Sequence, residues 1–438
     1  MNIQKPSREI PAIVVRRRRQ FDASPDRVTR EGTRLREIRV IDRDTGRLEA
    51  YTAHTFIDAT YEGDLAAAAG APFRAGREGR EEYSEPMAGR IYKVWEGEVR
   101  EDSTGAADAA IEAHNHRLCL TADPDRRVPI SKPASYHRQD YASLVDDVSL
   151  GLAPVPPGYY HWEHDREGLD RLFNIGHLPG GKTDANNQQA AFLSSDLPEE
   201  NWAWSDAFAA RLRDYTLGRA DGQGVVRREG VPADYTPGLA QVDLAREVAL
   251  VLVLVFGEAP LGDLLAEALR QLGIVLREPD HALRPPVHAD SVTGSHYDIE
   301  SHTCHKREPG RVHLDGFISY PTALYTVPYR IMVPEAVDGL LVSVAISASH
   351  MGYGSLRMEP CWMALDEAAG LAAILSRRAG TEARDIPIPE LQERLLDHGA
   401  VLAYVSNVGT EDPRFRAVQH LVLQRRVPGM ALKEETAR

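Results

Sequence analysis

The chain has 438 residues, with 51 Lys and Arg against 65 Asp and Glu and a net charge of −14; its pI is near 5.6. That acidity argues against a nucleic-acid or anionic-membrane surface, and the length allows two or three domains with a large core. Three widely spaced cysteines, Cys119, Cys304 and Cys361, make no disulfide framework and point to a reducing, cytoplasmic compartment.

The N-terminus carries charge but no apolar stretch followed by a small-residue cleavage site, so no secretory signal is expected. The arginine run 16–19 follows Ile13-Val14-Val15 and reads as the solvated end of an edge strand, or as a basic anchor. Residues 35–40 alternate in polarity, the turn Asp44-Thr45-Gly46 follows, and residues 51–57 read as a second strand; the two are expected to form a hairpin. Residues 64–70 predict a short Ala-rich helix stopped by glycine, with Asp64 suited to the N-cap.

Residues 74–325 are rich in Pro, Gly, Trp and Tyr, with the character of short helices and loops. Within them, 241–286 is unusually apolar. Its longest apolar run, 248–256, is too short to span a bilayer, and 261–272 reads as an amphipathic helix. From residue 326 to 380 the chain returns to strand–loop–helix order. Residues 340–346 read as a buried strand, 347–357 as a polar loop bearing glycines, and a helix runs from about Pro360 to about Ser376. Residues 386–438 read as helices with a polar end. No internal repeat is visible. The order predicts an α/β fold with α+β elements.

Two constellations invite a chemical reading. Gly176 to Thr183 matches G-x-x-x-x-G-K-[ST] letter for letter. A phosphate-binding loop needs a buried strand before it and a helix after it. Here the preceding run is short, DANNQQ is a poor helix start, and Pro179 removes a loop donor. Nucleotide hydrolysis is therefore not expected. The second group is His288, His296, His302, Cys304, His305 and His313. Its spacing could supply metal ligands, but matches no established zinc pattern, and neighbours on a strand point to opposite faces. Surface or hydrogen-bonded histidines remain the plainer reading, and no metal is assigned.

Four segments carry a family resemblance: TFIDATYEGDLAAAAGAPFRAGREGREEYSEP (55–86), LFNIGHLPGGKTDANN (172–187), HYDIESHTCHKR (296–307) and SASHMGYGSLRMEPCWMALDEAAGLAA (347–373). Together, in this order, they resemble a family of FAD-dependent oxidoreductases with a glutathione-reductase-like FAD domain. The resemblance implies a partial FAD/NAD(P)-binding-type domain with an inserted cap or substrate domain. It divides the chain into remnant FAD-domain strands and a short helix (1–75), an inserted domain (76–325), a return of the FAD domain (326–380) and a helical extension (381–438).

The resemblance implies FAD as cofactor and hydride transfer to it from a small polar, sugar-like substrate. Asp58, Thr60, Gly63 and Asp64 would border the cofactor. Gly352, Gly354, Ser355, Leu356 and Pro360 would let backbone approach the flavin and aim a helix's positive end at it. His302 and His350 are the candidates for acid–base work, and Arg357 for electrostatics or a substrate contact. Lys182, Thr183, Asp184 and Asn186 would be polar residues of the substrate pocket.

The departures are specific. No G-x-G-x-x-G follows a strand; the nearest is Gly222-Gln-Gly224. The arginine-rich element usual near 241–286 is reduced to Arg246-Glu247, and the usual G-Q-A-A-G is Asp366-Glu367-Ala368-Ala369-Gly370. The chain therefore reads as a truncated member, through a misassigned start or as a short protein whose missing ADP-binding half comes from another chain. The alternative is a non-catalytic fragment or partner subunit unable to bind FAD alone. A metal-dependent hydrolase using the His288–His313 group is a distant third.

Overall fold

The structure, a computed structural model, describes residues 27–42, 45–91, 287–301, 322–405 and 408–424, with short stretches at 12–13, 19–21, 99, 103–111, 118–121, 125, 127–129, 133–136, 174–179, 182–186, 213–214, 238–240 and 318–320. The apolar segment 241–286 and residues 425–438 lie outside the described residues, as do arginines 16–18.

In the N-terminal part the strands are β1 (Ala12–Ile13), β2 (Arg19–Phe21), β3 (Val28–Glu31), β4 (Arg34–Asp42), β5 (Leu48–Thr52) and β6 (Thr55–Asp58); helices α1 (Asp64–Ala68) and α2 (Arg80–Tyr83) follow. Strand β4 organises an antiparallel sheet: β2 and β3 pair along one side of it and β5 along the other. Its inward residues change parity, from Leu35 to Ile38 and Val40. A bulge between Thr29 and Arg30 in the β3 pairing marks the same shift, since one extra residue turns a strand's face over.

The expected hairpin of 35–40 with 51–57 forms only in part. Strand β5 does turn back on β4, but the chain leaves that sheet at Ala53-His54, and β6 enters a different, parallel one. The reason is burial on both sides: all four residues of β6 are buried, whereas β5 alternates. Two-sided burial is the mark of a central parallel strand.

The middle of the chain contributes β7 (Leu118–Thr121), β8 (Arg127–Pro129), β9 (Asn174–Leu178), β10 (Lys182–Asn186) and β11 (Gly238–Ala240), joined in one antiparallel sheet of order β8-β11-β7-β10-β9. The remainder is β12 (Ser291–Ser295), β13 (Ile299–Ser301), β14 (Ile318–Tyr320), β15 (Tyr325–Pro328), β16 (Leu340–Val342), then α3 (His350–Leu356), α4 (Glu359–Ala379), α5 (Ile388–Asp397) and α6 (Phe415–Leu423).

Strands β1, β6 and β16 form the parallel sheet, with β6 in the middle. The sheet separates two cores, and the period of two decides which residue enters which. Phe56, Leu340 and Val342 face a cluster with Leu35, Ile38, Leu65 and Ala66. Ile57 and Leu341 face the larger cluster with Leu365, Ala368, Ala369 and Ala372 of α4. Gly339 immediately precedes β16 at φ 71, where a Cβ would meet the carbonyls of Leu35 and His54 at 3.2 Å. This tight point links the two N-terminal sheets: Leu35 N donates to Asp338 O at 2.9 Å and Phe56 N to Gly339 O at 2.8 Å.

Helix α4 matches its expected span closely. Pro360 lies in its first turn and Gly380 closes it at φ 66, the usual asymmetry of helix ends. Its alanines at 368, 369, 372 and 373 are fully buried and let the helix lie close on β6 and β12. The segment expected as a loop, 347–357, differs: α3 occupies most of it. Ser349 caps α3, accepting from Gly352 N at 3.0 Å. All seven residues of α3 are buried, so packing offsets the cost of about 1 kcal/mol that each of its two glycines carries in a helix. No helix among the described residues is long and apolar enough to cross a membrane.

Candidate functional site

The carboxyl ends of β6 and β16 adjoin, and their polar groups are organised around Asp58. This buried side chain ends β6. Its Oδ1 accepts from Thr60 N at 3.0 Å and Thr60 Oγ1 at 2.7 Å, and its Oδ2 from Ala66 N at 2.9 Å. Burial pushes the Asp58 carboxyl up, and these hydrogen bonds pull it partly back. The Thr60 hydroxyl in turn accepts from Asp64 N at 3.1 Å. Asp64 is therefore the first residue of α1, not its N-cap. The cap position is Gly63, at φ 65, and the distant Asp58 does the capping work. Burial, with Glu62 and Asp58 nearby, pushes the Asp64 carboxyl up to about 9.

On the β16 side, Ser343 N donates to Asp58 O at 3.0 Å, and the Ser343 hydroxyl donates to Asp366 of α4. Beside them Tyr61 meets Trp362 edge-on, with ring centroids 5.4 Å apart. Trp362 is buried, and its Nε1 has no hydrogen-bond partner among the described residues. Ligands of open α/β sheets collect at such carboxyl ends.

A second group surrounds α3. His350 N and Nδ1 both approach Glu78 Oε2, at 3.0 and 2.5 Å. Ser349 Oγ donates to Glu85 Oε1 at 2.8 Å. Glu78 and Glu85 are both buried. Burial alone would raise the Glu78 carboxyl, but the hydrogen bonds of His350, and its charge when the ring is protonated, outweigh it and hold that carboxyl below the usual range. Among the described residues the Glu85 side chain has the Ser349 hydroxyl as its hydrogen-bond donor, and burial pushes its carboxyl up to about 7. The strap bearing both glutamates is anchored by Arg77, whose guanidinium binds Asp108 with two bonds of 2.9 and 2.7 Å.

The far face of α3 is closed by β13. A Cβ on Gly354 would lie 2.3 Å from Glu300 O. Ser355 Oγ donates to Tyr297 O at 2.5 Å and lies 2.7 Å from the Tyr325 hydroxyl. Arg357 pairs with Glu300 and stands 5.6 Å over the Tyr297 ring; Tyr297 also donates to Glu300 Oε2, at 2.8 Å. Leu356 is fully buried, whereas Pro360 is exposed.

The structure thus brings the sequence-predicted Asp58, Thr60, Gly63 and Asp64 into one group. His350 belongs with two glutamates that sequence reasoning left unassigned; they lie within the GREGREEYSEP segment, but nothing in their spacing relates them to His350. Lys182, Thr183, Asp184 and Asn186 all lie on β10, with Lys182 and Asp184 half-buried. The phosphate-loop-like sequence falls in the β9–β10 hairpin, with Leu178 opposite Lys182 and His177 opposite Thr183, and its lysine and threonine open strand β10. His288 is buried against Thr326, its Nδ1 2.9 Å from Oγ1. His302, Cys304, His305 and His313 lie outside the described residues. Among the described residues no group of three or more metal-ligating side chains is gathered.

A family model described as FAD dependent oxidoreductase matches residues 17–395. No curated protein and no solved structure matches the chain.

Proposed function

Since the chain belongs to the FAD-dependent oxidoreductase family, we propose that it oxidises a small polar, sugar-like substrate by hydride transfer, with His350 as proton acceptor. The observation that carries this reading is the extent of the match. It runs from the first antiparallel sheet through β6, β16 and α3 to α5, so it includes every element that builds the two polar groups. In this reading residues 1–75 and 326–380 belong to the cofactor domain, 76–325 to the substrate domain, and 381–438 to a helical extension.

The residues present fit the cofactor at the carboxyl ends of β6 and β16. The buried Trp362 Nε1, a donor with no partner among the described residues, suits a ligand with carbonyl acceptors. It stands in the first turn of α4, a 21-residue helix whose N-terminal end favours developing negative charge. Thr60, Gly63, Asp64 and Pro360 would complete that wall. FAD, when bound, supplies the two-electron acceptor.

The chain's own residues bind, orient and move protons. Lys182, Thr183, Asp184 and Asn186 would contact substrate hydroxyls. His350, already engaged at Nδ1, has Nε2 left for a substrate proton. His302 is a second candidate for acid–base work. Arg357, held by Glu300, would set the local potential.

One observation favours a second reading, a non-catalytic partner subunit that does not hold FAD alone. Gly354 and Ser355, expected to approach the flavin, are packed on β13 and Tyr325. An absorption spectrum separates the two. The full chain, produced with FAD supplied and then desalted, should keep the flavin bands. A folded, colourless protein would favour the partner-subunit reading.

A further inference from the structure

Glu78 and His350 are 272 residues apart in sequence, yet one oxygen of Glu78 accepts from the backbone N of His350 at 3.0 Å and lies 2.5 Å from its Nδ1. A carboxylate of full burial, 0 % exposed, is costly unless paired, and Glu78 Oε2 makes both of its contacts with this one residue. Its other oxygen, Oε1, has no hydrogen-bond partner among the described residues. The arrangement is rigid on both sides. Ser349, the residue before His350, is held by Glu85 and Gly352 N. The glutamate strap is pinned by Arg77 and Asp108 and by backbone packed too closely for side chains: a Cβ on Gly89 would lie 2.5 Å from Gly105 O.

A neutral imidazole carries its proton on one nitrogen, and the hydrogen bond at one nitrogen decides the role of the other. Glu78 Oε2 already accepts from the His350 backbone N, so it is the acceptor for the neutral ring as well, and Nδ1 must be the donor. Nε2 then carries the lone pair.

We propose that Glu78 is a positioning residue that locks His350 in its Nδ1–H tautomer and thereby presents Nε2 as the acceptor of the substrate's hydroxyl proton. This rests on the oxidation proposed above. In that step the substrate O–H bond breaks and its proton goes to Nε2. The neighbouring C–H bond breaks with its electron pair, which leaves as hydride to FAD, and C–O becomes C=O. FAD, when bound, would supply the acceptor for these two electrons, and the imidazolium that forms would be stabilised by the Glu78 carboxylate.

Nitrogen-15 histidine spectra of the full chain test the tautomer, with the His350 signals identified by their loss in His350→Gln. The expected result is a protonated Nδ1 in the wild type, retained in Glu78→Gln, whose amide oxygen still accepts, and lost in Glu78→Leu. A ring protonated at Nε2 in the wild type overturns the proposal, and that reading needs neither Glu78 variant to fold. A second readout uses the FAD-loaded chain with a panel of sugars and polyols. Glu78→Leu should lower kcat by about 10²-fold or more with little change in KM. An unchanged kcat overturns the positioning role. If Nδ1 is protonated but no sugar or polyol reduces the bound flavin, the oxidation reading fails, and the acceptor role with it, while the tautomer stands.

Discussion

The carbonyl oxygen of Glu300 occupies the space where Gly354 would carry a side chain: a Cβ there would lie 2.3 Å away, with the Glu300 carbonyl carbon at 3.1 Å. A glycine expected for cofactor approach is thus the contact that seats α3 on β13. The same strand positions Glu300, which holds Arg357 and Tyr297.

Gly354→Ala should therefore destabilise the protein. The obstruction is backbone, which cannot rotate away, so α3 and β13 must separate at an expected cost of about 1–3 kcal/mol. Urea unfolding measures it. An alanine variant as stable as the wild type would show that α3 does not pack on β13 this closely.

Glu85 makes stability depend on pH. Burial raises its folded carboxyl from the ordinary 4.5 to about 7, so the folded chain keeps a proton that the unfolded chain gives up. Stability should fall as pH rises from about 4.5 to about 7 and level off above, by about 3 kcal/mol in all. Glu85→Gln removes that fall. A residual slope remains because Asp64, raised to about 9, acts with the same sign over a wider range. Melting temperatures of both proteins between pH 5 and 8 check this; parallel curves would contradict it.

Asp58→Ala should cost about 2–3 kcal/mol. It leaves Ala66 N and Thr60 N, both partners of Asp58, without an acceptor at a buried helix start. Amide exchange should quicken first at residues 60–66, ahead of global unfolding. Equal exchange in the two proteins would place the cap elsewhere.

Trp362→Phe tests the cofactor wall. It keeps an aromatic ring against Tyr61 and removes a buried donor that has no partner among the described residues, so without FAD the variant should be as stable as the wild type or slightly more so. With FAD it should gain less in Tm and release flavin more readily on desalting. Identical FAD-dependent Tm gains in the two proteins would remove Trp362 Nε1 from the site.

Local chemistry made some elements readable in advance. Helix α4 could be placed because Pro360 marks its first turn and an Ala-rich stretch continues it; the structure extends it to Ala379, with Gly380 as its cap. The β4–β5 pairing followed from alternation and a turn at Gly46, which has φ 67. The phosphate-loop pattern could be set aside because the required helix start was missing, and its residues form a hairpin. Other features defied local reading. Residues 51–57 look like one strand, but the division at Ala53-His54 depends on which sheet each half joins. Helix α3 carries two glycines in seven residues, and its formation depends on Ser349 and β13.

The sequence by itself determined what a window of about ten residues can encode: the period of each element, its caps and turns, and the ordered motifs that mark the FAD-dependent oxidoreductase family. Only the tertiary structure decided the pairings Glu78–His350, Ser343–Asp366 and Gly354–Glu300. Each joins residues far apart in the chain or on different elements, and each holds because a polar group removed from water must find a partner and a tight backbone contact must find a glycine. Those conditions are set by how sheets and helices meet, which no local pattern of residues specifies.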